Sequence, residues 1–386
     1  MGKRLQEKTN KEYRICSNCV MDSSDPNIKF DKNGVCDRCN TYYKQILPKW
    51  NYGLGKERQL SQIIETIKKR GEGKQYDSIL GLSGGIDSTY LLHLAVKEFG
   101  LHPLVFHIDS GWDADFTKRN IINLTNKLGV ELKIEVLNWE EMRDFQLAMF
   151  KSGVPHLDIP QDMAFVSVLD RYALENHIKF ILNGGNISTE VVVNPSSWGY
   201  WGTDMIQIKD ILKRFGTVPM KTYPFTNIFI RKIVLPYIKG VKVVKLLNYV
   251  PYNKKEAVEI LKKEYGFEPY PQKHFESLLT KFIEAYWLPK RFGYDIRRAQ
   301  FSSLILTGQM TREEALERLK NDPISEEEAD KLIKLVAAKL EISVDELMSY
   351  MRMPLRSYKD YKNIKFVFDF GSKILFYFGI DNLVRK

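Results

Sequence analysis

The chain has 386 residues, of which 44% are hydrophobic and 27% are charged, an ordinary balance for a globular protein of two or three domains. Its formal net charge of +10 favours an anionic partner such as a nucleotide, a sugar nucleotide, RNA or an acidic membrane surface, although surplus surface lysines would give the same charge. The opening residues MGKRLQEKTNKEYR lack the apolar core of a signal peptide, and the late run IKFVFDFGSKILFYFGI is too short and too charged to span a membrane. We therefore expect a cytoplasmic protein without a membrane contact.

All four cysteines lie in the segment CSNCVMDSSDPNIKFDKNGVCDRC, as the pairs Cys16–Cys19 and Cys36–Cys39. The 16 residues between the pairs fit the spacing of a four-thiolate zinc site, in which each pair forms a tight knuckle. We expect residues 1–50 to form a zinc-ribbon-like module that holds structural Zn²⁺, with an iron–sulfur cluster or redox-active pairs as the alternatives. Four protein ligands leave no open position, so this metal is not expected to catalyse.

Short apolar runs then alternate with longer amphipathic ones, from about Tyr76 onwards. The predicted strands are YDSILGLS, HPLVFHIDSGW, ELKIEVLNW, IKFILNGG and VKVVKLLNYV. The helices predicted among them cover about 87–99, ADFTKRNIINLTNKLG, EEMRDFQLAMFKSG and about 162–177. This alternation predicts an α/β domain at 51–270, with a parallel sheet and helices on both of its faces.

Residues 271–386 are predicted to form a mainly helical C-terminal region. The run ISEEEADKLIKLVAAKLEISVDELMSYM has the pattern of one or two amphipathic helices, with Ser325 and Glu328 in a capping box. The final stretch RSYKDYKNIKFVFDFGSKILFYFG is basic and then apolar. It is expected to pack on its own domain, with a partner protein or a membrane as the alternatives.

Four polar or glycine-rich loops follow predicted strands, at 83–88, 107–112, 138–140 and 184–190. Because ligands of parallel sheets bind at the carboxyl ends of the strands, we expect these loops to meet at one active site.

The first of these loops, Ser-Gly-Gly-Ile-Asp-Ser, is predicted to bind the phosphates of a nucleotide. Gly84 and Gly85 let the backbone approach phosphate oxygens, and the helix that follows directs free N–H groups at the anion. Ser83 and Ser88 can donate hydroxyl hydrogen bonds, whereas Asp87 would repel a phosphate unless it binds Mg²⁺. The Gly-Lys-Ser/Thr of a Walker loop is absent.

The pattern Ser-Gly-Gly-x-Asp-Ser after a strand resembles the pyrophosphate loop of the PP-loop ATP pyrophosphatases, with their adenine nucleotide alpha hydrolase-like (HUP) fold. This resemblance implies that a substrate oxygen is adenylated, that pyrophosphate leaves, and that a nucleophile then displaces AMP. No cysteine follows Cys39, so the sheet domain has no catalytic thiol, and a built-in glutaminase would lack its nucleophile if metal binds all four cysteines.

Longer stretches are similar to the N-acetyl sugar amidotransferase family. They are LNGGNISTE, YPQKHFESLLTKFIEAYWLPKRFGYDIRRAQFSSLILTGQMTREEAL and the cysteine segment. The resemblance implies that ATP and Mg²⁺ activate the acetamido oxygen of an N-acetyl sugar, which is expected to be nucleotide-linked. Ammonia from a separate glutaminase subunit would then give an acetamidino sugar for bacterial surface polysaccharide. A tRNA-modifying adenylating enzyme is the alternative; it fits the charge and the zinc module, but the chain lacks a thiol near the site and an arginine-rich extension, so no nucleic acid partner is expected.

Candidate site residues follow from the loops and from this resemblance. The expected catalytic residues are Asp87, Lys273 and Glu190. The expected nucleotide-binding residues are Ser83, Gly84, Gly85, Asp87, Ser88, Asp109, Gly184, Gly185 and Asn186. The expected substrate-binding residues are Trp198, Trp201, His274, Arg297 and Arg298.

Several of these assignments have a structural alternative. Asp109 could close an Asx turn, and Gly184 and Gly185 could serve a simple strand-to-helix turn. Lys273, His274 and Glu276 could cap a helix instead of facing pyrophosphate, while Asp204, a candidate for orienting ammonia or a sugar hydroxyl, could be a surface acid. Trp198 and Trp201 could pack in the core instead of contacting a sugar. Arg291, Arg297 and Arg298 could be ordinary exposed arginines.

Overall fold

A computed structural model of the chain describes residues 13–50 and 56–367. The first twelve residues and most of the late apolar run lie outside the described residues, so the expectations for them are not addressed by the structure. Within the described ranges, no helix combines the length and the apolar content that crossing a bilayer requires.

The centre of the molecule is a five-stranded, fully parallel sheet. Its strands are β1 (Ser78–Gly81), β2 (Pro103–Asp109), β3 (Leu132–Val136), β4 (Phe180–Leu182) and β5 (Lys242–Val244). They lie in the order β3-β2-β1-β4-β5, with Ile79 opposite Leu104 on one side and Ile181 on the other. The predicted α/β class and all five predicted strands are confirmed.

Fourteen α-helices occur in the described part of the chain. They are α1 (Asp37–Thr41), α2 (Lys56–Gly71), α3 (Ile86–His93), α4 (Asp115–Leu128), α5 (Trp139–Ser152), α6 (Ile159–Glu175), α7 (Ile187–Glu190), α8 (Met205–Phe215), α9 (Lys254–Tyr265), α10 (Leu278–Phe282), α11 (Arg297–Leu306), α12 (Arg312–Leu319), α13 (Glu326–Lys339) and α14 (Val344–Arg352). Wider π-type turns occupy Tyr42–Ile46, Leu94–Glu98, Ile230–Ile238 and Ile283–Phe292. Short 3₁₀ turns occupy Leu47–Lys49, Leu246–Asn248 and Tyr358–Asp360.

Both faces of the sheet are covered, as alternate residues of its strands show. Ile79 of β1 and Phe106 of β2 belong to one buried cluster, while Leu80 and Val105 belong to another. Successive side chains of a strand point to opposite faces, so two apolar layers enclose the sheet. The cluster that contains Ile79 also contains the four cysteines and buried residues of α10, α11, α13 and α14, so the cysteine module and the helical C-terminal region share one core with this face of the sheet.

The start of one helix and the cap of another differ from the prediction. Helix α6 begins at Ile159 rather than near Asp162, because Pro160 suits the first turn of a helix, where its missing N–H costs no hydrogen bond. At α13, Ser325 accepts a hydrogen bond from the Glu328 amide, but the Glu328 carboxylate pairs with Lys281 of α10. Ser325 is therefore an N-cap, and the reciprocal half of the expected capping box does not form.

The strand order places a crevice beside β1. The chain runs outward from β1 through β2 to β3, and then returns to the opposite side of β1 for β4 and β5. Such a reversal separates the loops that follow the two adjacent strands, and ligands of open α/β sheets bind in the resulting crevice. The loops at 83–88 and 184–190 flank this crevice.

Candidate functional site

The phosphate loop joins β1 to α3 and is shaped by two glycines. Gly84 has a φ of +78°, a left-handed conformation that other residues rarely adopt. A Cβ on Gly184, across the crevice, would lie 3.1 Å from the Ser88 nitrogen, so that loop approaches the start of α3 closely. The first turn of α3 lines the crevice with Ile86, Asp87 and Ser88, and the Ile86 amide donates to the Tyr270 hydroxyl at 3.2 Å. A helix start of this kind suits an anion.

Two hydroxyl groups complete this loop. The Oγ atoms of Ser83 and Ser88 lie 3.1 Å apart, and Ser88 also donates to the Gly85 carbonyl. The hydroxyls therefore stand side by side at the mouth of α3, where both can donate to one phosphate group.

A buried lysine joins two carboxylates above the loop. Lys273 Nζ lies 3.1 Å from Asp87 Oδ2 and 2.5 Å from Glu190 Oε1. Burial alone would raise the pKa of Asp87, but Lys273 and Lys254 lower it below its usual range. Burial alone would lower the pKa of Lys273, but Asp87 and Glu190 raise it well above its usual range. Asp87 and Lys273 are therefore both charged at neutral pH.

The segment that follows β5 supplies two more groups to this cluster. The Tyr252 hydroxyl donates a hydrogen bond to Asp87 Oδ1, and Lys254, at the start of α9, lines the same cavity. Burial lowers the pKa of Lys254, against the opposing effect of Asp87. Since two lysines face Asp87 and Glu190, a group that carries several negative charges can enter without an excess of local negative charge.

Lys273 reaches the phosphate loop because its own loop is pinned beside β2. The Ala114 amide donates to the Glu276 carbonyl at 3.0 Å, and the Leu278 amide donates to the Trp112 carbonyl at 2.8 Å. His274 has a φ of +70°, so this turn holds a non-glycine residue in a left-handed conformation. The strained turn places Lys273 and His274 on the crevice.

The crevice is a cavity of about 560 Å³. Its phosphate end is lined by Ser83, Gly85, Asp87, Ser88, Gly184, Gly185, Glu190, Lys254 and Lys273. An apolar part is lined by Gly81, Ile108, Phe165, Leu169 and Leu182. The cavity therefore offers a flat apolar slot beside a cationic phosphate site, a combination that suits a nucleotide.

Three acids line the far end of this cavity, around His274. Asp158 precedes α6, Asp162 lies one turn further on, and Glu284 accepts from His274 Nδ1 at 2.8 Å. Partial burial, with Asp162 and Glu284 nearby, raises the pKa of Asp158 to about 8. Burial would lower the pKa of His274, but Glu284 raises it to about 9.

A second cavity of about 640 Å³ meets the first at these acids. Asp158, Asp162, Asn194 and Glu284 line both cavities. The remaining wall of the second cavity includes four aromatic residues, Trp198, Tyr200, Trp201 and Tyr358. Polar residues at the junction and aromatic rings beyond it are features of carbohydrate sites, because a ring face stacks on the apolar face of a sugar.

The cysteine module contributes to the second cavity. Arg38 of α1 lines it and pairs with the buried Asp25 at 2.8 Å, and Asp25 also accepts from the Ser197 hydroxyl. The Trp198 indole N–H donates to the Ser24 carbonyl at 3.4 Å. These contacts fix the aromatic loop against the module, so the module forms part of the cavity wall.

The four cysteine sulfurs form a compact tetrahedral group. All four lie within 4.8 Å of one another, with separations of 3.8 Å for Cys16–Cys39, 3.7 Å for Cys19–Cys36 and 3.6 Å for Cys36–Cys39. Sulfurs bound at 2.3 Å to one tetrahedral ion would lie about 3.8 Å apart. The group therefore fits a single ion of zinc's size, whereas a four-iron cluster needs sulfurs further apart, because each binds a different iron.

Several predicted site residues do line the first cavity. They are Ser83, Gly85, Asp87, Ser88, Gly184, Gly185, Glu190, Lys273, His274 and Glu276. Gly84 shapes the loop, and Asn186 caps α7 by accepting from the Thr189 amide. Trp201 lines the second cavity.

Other predicted residues have structural contacts in place of a position on the crevice. Asp109 accepts a hydrogen bond from the Gly111 amide at 2.9 Å and pairs with Lys118. It therefore forms an Asx turn, which was the alternative to a role in nucleotide binding. The loop at 138–140 follows the edge strand β3, and there Asn138 caps α5. Asp204 is buried as the N-cap of α8.

The structure contradicts the expected substrate-binding role of Arg297 and Arg298. Arg297 is buried, pairs with Asp295 and donates to two carbonyls of the α12 region. Arg298 pairs with Asp22 at 2.8 Å and donates to the Val20 carbonyl, which ties α11 to the cysteine module. Arg291 donates to three carbonyls at 351–354. None of these guanidinium groups lines either cavity.

Trp198 also requires a correction. Its ring stacks on Tyr294 with the centroids 4.6 Å apart and the planes 3° from parallel, and the residue is buried. That face is unavailable to a sugar, so Trp198 supports the cavity wall. The ring of Trp201 also has neighbours, because it stacks on Tyr200 and Lys365 Nζ lies 5.7 Å from its centroid.

Sequence reasoning missed Tyr252, Lys254, Asp158 and Asp162. Tyr252 and Lys254 follow the predicted fifth strand. Ligands of parallel sheets bind at the carboxyl ends of the strands, so including the loop after β5 in the prediction would have found both residues. The two acids lie four residues apart at a helix start, where carboxylates are common for reasons unrelated to a site. Only their position beside Glu284 in the cavity marks these two acids as candidate site residues.

Comparison with protein families identifies two parts of the chain. Residues 78–158 match the phosphoadenosine phosphosulfate reductase domain, and residues 276–375 match the family described as LPS biosynthesis protein WbpG-like, C-terminal domain. The first match contains the phosphate loop, and the second contains Glu276 and Glu284.

A curated relative is the uncharacterized protein MJ1599 of Methanocaldococcus jannaschii, 32% identical over 120 residues, which are 31% of this chain and 41% of that protein. The chain thus spans about two fifths of the relative's length.

Solved structures give weak likenesses. An NMN synthetase from Francisella tularensis has a TM-score of 0.31 and 12% identity, covering 79% of this chain and 99% of that one. The U34-tRNA thiolase NcsA from Methanococcus maripaludis, with its [4Fe-4S] cluster, has a TM-score of 0.31 and 14% identity, covering 78% and 91%. An NH₃-dependent NAD synthetase from Campylobacter jejuni has a TM-score of 0.25 and 14% identity, covering 56% and 99%.

The family matches and the observed sheet, phosphate loop and helical C-terminal region agree with one another. The chain thus joins a PP-loop domain of the phosphoadenosine phosphosulfate reductase type to a C-terminal domain of the LPS biosynthesis protein WbpG-like family.

Proposed function

We propose that this PP-loop protein uses ATP to convert the acetamido group of an N-acetyl sugar into an acetamidino group in LPS biosynthesis. The observation that carries the proposal is the junction of the two cavities. A cationic phosphate site opens into an aromatic pocket through four shared residues, Asp158, Asp162, Asn194 and Glu284. A sugar in the second cavity would therefore present its substituent to a nucleotide in the first.

The chemistry requires activation because an amide carbonyl is a poor electrophile. The amide oxygen attacks the α-phosphorus of ATP and pyrophosphate leaves, which gives an O-adenylated imidate. Ammonia then attacks the imidate carbon, the C–O bond breaks, and AMP departs with the oxygen of the amide. The carbon ends with a C=NH group, and the protons lost from ammonia pass to a base.

The chain's residues suit these steps. Lys273 and Lys254 face the site of the departing pyrophosphate, where their charges would stabilise the negative charge that develops. Asp158 is held partly neutral near pH 8 and lines the junction, so its ionised form can accept a proton from the attacking nitrogen. The strained His274 turn fixes Lys273 and the Glu284 side of the junction relative to each other.

Magnesium fits the phosphate end of the cavity. Asp87 and Glu190 are carboxylates on either side of Lys273, and Mg²⁺ in nucleotide sites uses one or two carboxylates together with phosphate oxygens. When bound, the ion would neutralise charge on the phosphates. Asp87 is the residue expected to hold it, with Lys273 moving to the phosphates.

The metal of the cysteine module is proposed to be structural zinc. The sulfur separations suit one tetrahedral ion, and all four ligands come from the chain. Since the chain's four cysteines form this group, none remains as a nucleophile for glutamine hydrolysis. We therefore propose that ammonia comes from a separate glutaminase subunit.

The reaction can be tested with UDP-N-acetylglucosamine and related acetamido nucleotide sugars whose acetamido oxygen is ¹⁸O. The purified chain is incubated with the sugar, ATP, Mg²⁺ and ammonium chloride. We expect sugar-dependent pyrophosphate release and the transfer of ¹⁸O to AMP. Release that depends on added tRNA instead, or AMP without the label, would overturn the proposal.

A further inference from the structure

An exposed apolar face lies on the helix that precedes the edge strand β5. The π-type helix Ile230–Ile238 leads directly into the edge strand β5. Phe229, Ile233, Tyr237 and Ile238 are 62%, 43%, 62% and 67% exposed. The first three recur every four residues, so they lie on one face of the helix, and we call these four residues the apolar ridge.

The surroundings of the apolar ridge are strongly basic. Residues 229–245, which carry the apolar ridge and lead through β5, contain four lysines and one arginine but no aspartate or glutamate. Lys232, Lys239 and Lys242 are exposed on the helix and on the turn into β5. Arg231, by contrast, turns inward to Asp170 at 3.0 Å and to the Val166 carbonyl.

The helix is held firmly from beneath. Besides the Arg231 contacts, the Val241 amide donates to the Leu235 carbonyl, and Lys179 Nζ donates to the Lys239 carbonyl, each at 2.8 Å. Leu235 is buried, so the inner face of the helix is packed. The apolar ridge is therefore a fixed outward face of the fold.

We propose that the apolar ridge and its lysines bind the chain reversibly to an anionic lipid surface. Four apolar side chains can enter the interface between headgroups and acyl chains, while lysines extend their charged ends to lipid phosphates. The charge of this segment complements an anionic membrane, and its aromatic residues are of the type that settles at the boundary between water and lipid. This proposal departs from the sequence-based expectation of no membrane contact, and it does not depend on the proposed reaction.

Two protein occupants fit the face less well. A second copy of the chain would bring equal positive charges together, which opposes a symmetric dimer. Heterologous protein interfaces are enriched in arginine and depleted in lysine, whereas here the outward cations are lysines and the arginine faces inward. A lipid surface suits flexible lysines, which need no fixed partner geometry.

The test is cosedimentation of the purified full chain with vesicles. One set contains phosphatidylcholine alone and another contains about one third phosphatidylglycerol. We expect at least tenfold tighter binding to the anionic vesicles, weakened by salt. The variants Lys239→Glu/Lys242→Glu and Phe229→Ser/Tyr237→Ser should each lose at least tenfold in binding while keeping the wild-type circular dichroism spectrum and Tm.

The matched control is Lys97→Glu/Lys334→Glu, which makes the same charge change at exposed lysines elsewhere, and it should retain most of the binding. The proposal is overturned if the wild-type chain ignores anionic vesicles, or if the control loses as much binding as the ridge variants. Light scattering that shows a dimer dissociated by Phe229→Ser/Tyr237→Ser, without vesicle binding, would assign this face to a second copy instead.

Discussion

Lys273 Nζ lies 3.1 Å from Asp87 Oδ2, although 186 residues separate them in the chain. The contact joins the phosphate loop of the parallel sheet to the turn that precedes the WbpG-like match. Neither region alone therefore forms the cation–carboxylate group over the start of α3.

The first prediction concerns this lysine. Lys273→Met keeps the apolar stem of the side chain and removes its charge, so stabilisation of the departing pyrophosphate is lost. We expect the rate of sugar-dependent pyrophosphate release to fall by about 100-fold, as when one preorganised electrostatic contact is removed from an active site. Lys263→Met changes an exposed lysine of α9 and should leave the rate unchanged. A Lys273→Met enzyme with full activity would exclude any role for the ammonium group.

Much of this site could be predicted from the sequence, because the relevant signals are local. The strand that ends at Gly81, the glycines that follow it and the helix that starts at Ile86 are adjacent in the chain, and each follows from backbone conformation or periodicity. The cysteine pairs are also local, and their spacing alone predicted the tetrahedral group.

The errors arose where a residue's role depends on its tertiary partner. Arg297, Arg298 and Trp198 are residue types that bind sugars and phosphates, but the Asn321 carbonyl, Asp22 and Tyr294 respectively contact them in the fold. Nothing in the local sequence distinguishes an arginine that is paired internally from one that faces a ligand. Asp158 was missed for the same reason. Its pKa is raised by burial in the fold and by its neighbours, of which Glu284 lies more than one hundred residues away in the chain.

A second prediction tests the reassignment of Arg298. Its partner Asp22 has a side chain only 3% exposed, so Arg298→Ala leaves a buried carboxylate without its cation. We expect the free energy of unfolding to fall by about 3 kcal/mol, as for other broken buried pairs. Because the guanidinium lies outside both cavities, KM for the sugar should be unchanged at a temperature where the variant is folded.

Urea denaturation and steady-state kinetics separate these two roles of Arg298. Arg14→Ala, at an exposed arginine of the same module, is the control and should cost little stability. A large rise in the KM for the sugar with unchanged stability would restore Arg298 to the substrate site.

The third prediction concerns the metal. Cys36→Ser removes one of the four sulfur ligands, so we expect zinc measured by plasma mass spectrometry to fall from about one equivalent to a small fraction. Tm should fall by about 10 °C or more, since metal binding is coupled to the folding of the module. Trp198 rests on the Ser24 carbonyl of the module, so its fluorescence should also change.

Ser17→Ala is the matched control for the metal, because it removes a neighbouring hydroxyl that bonds the Asn33 carbonyl and leaves all four sulfurs in place. It should keep the full zinc content. Iron in place of zinc in anaerobically purified protein would contradict the assignment of a single tetrahedral zinc ion.

The last prediction follows from the pKa of Asp158, which burial and the neighbouring acids raise to about 8 from an ordinary value of 3.8. The folded state thus prefers the protonated carboxyl, so this group's contribution to stability is complete below about pH 4 and is lost as the pH rises through 8. Asp158→Asn mimics the protonated form, and the Tm of the variant minus that of the wild type should therefore increase from pH 5 to pH 9. Scanning calorimetry across this range measures the difference, with Asp345→Asn as the reference for loss of an exposed carboxylate. A difference for Asp158→Asn that stays constant or falls with pH would show that the carboxyl is not held in its neutral form, and the proposed role of Asp158 as the proton acceptor for the attacking nitrogen would lose its physical basis.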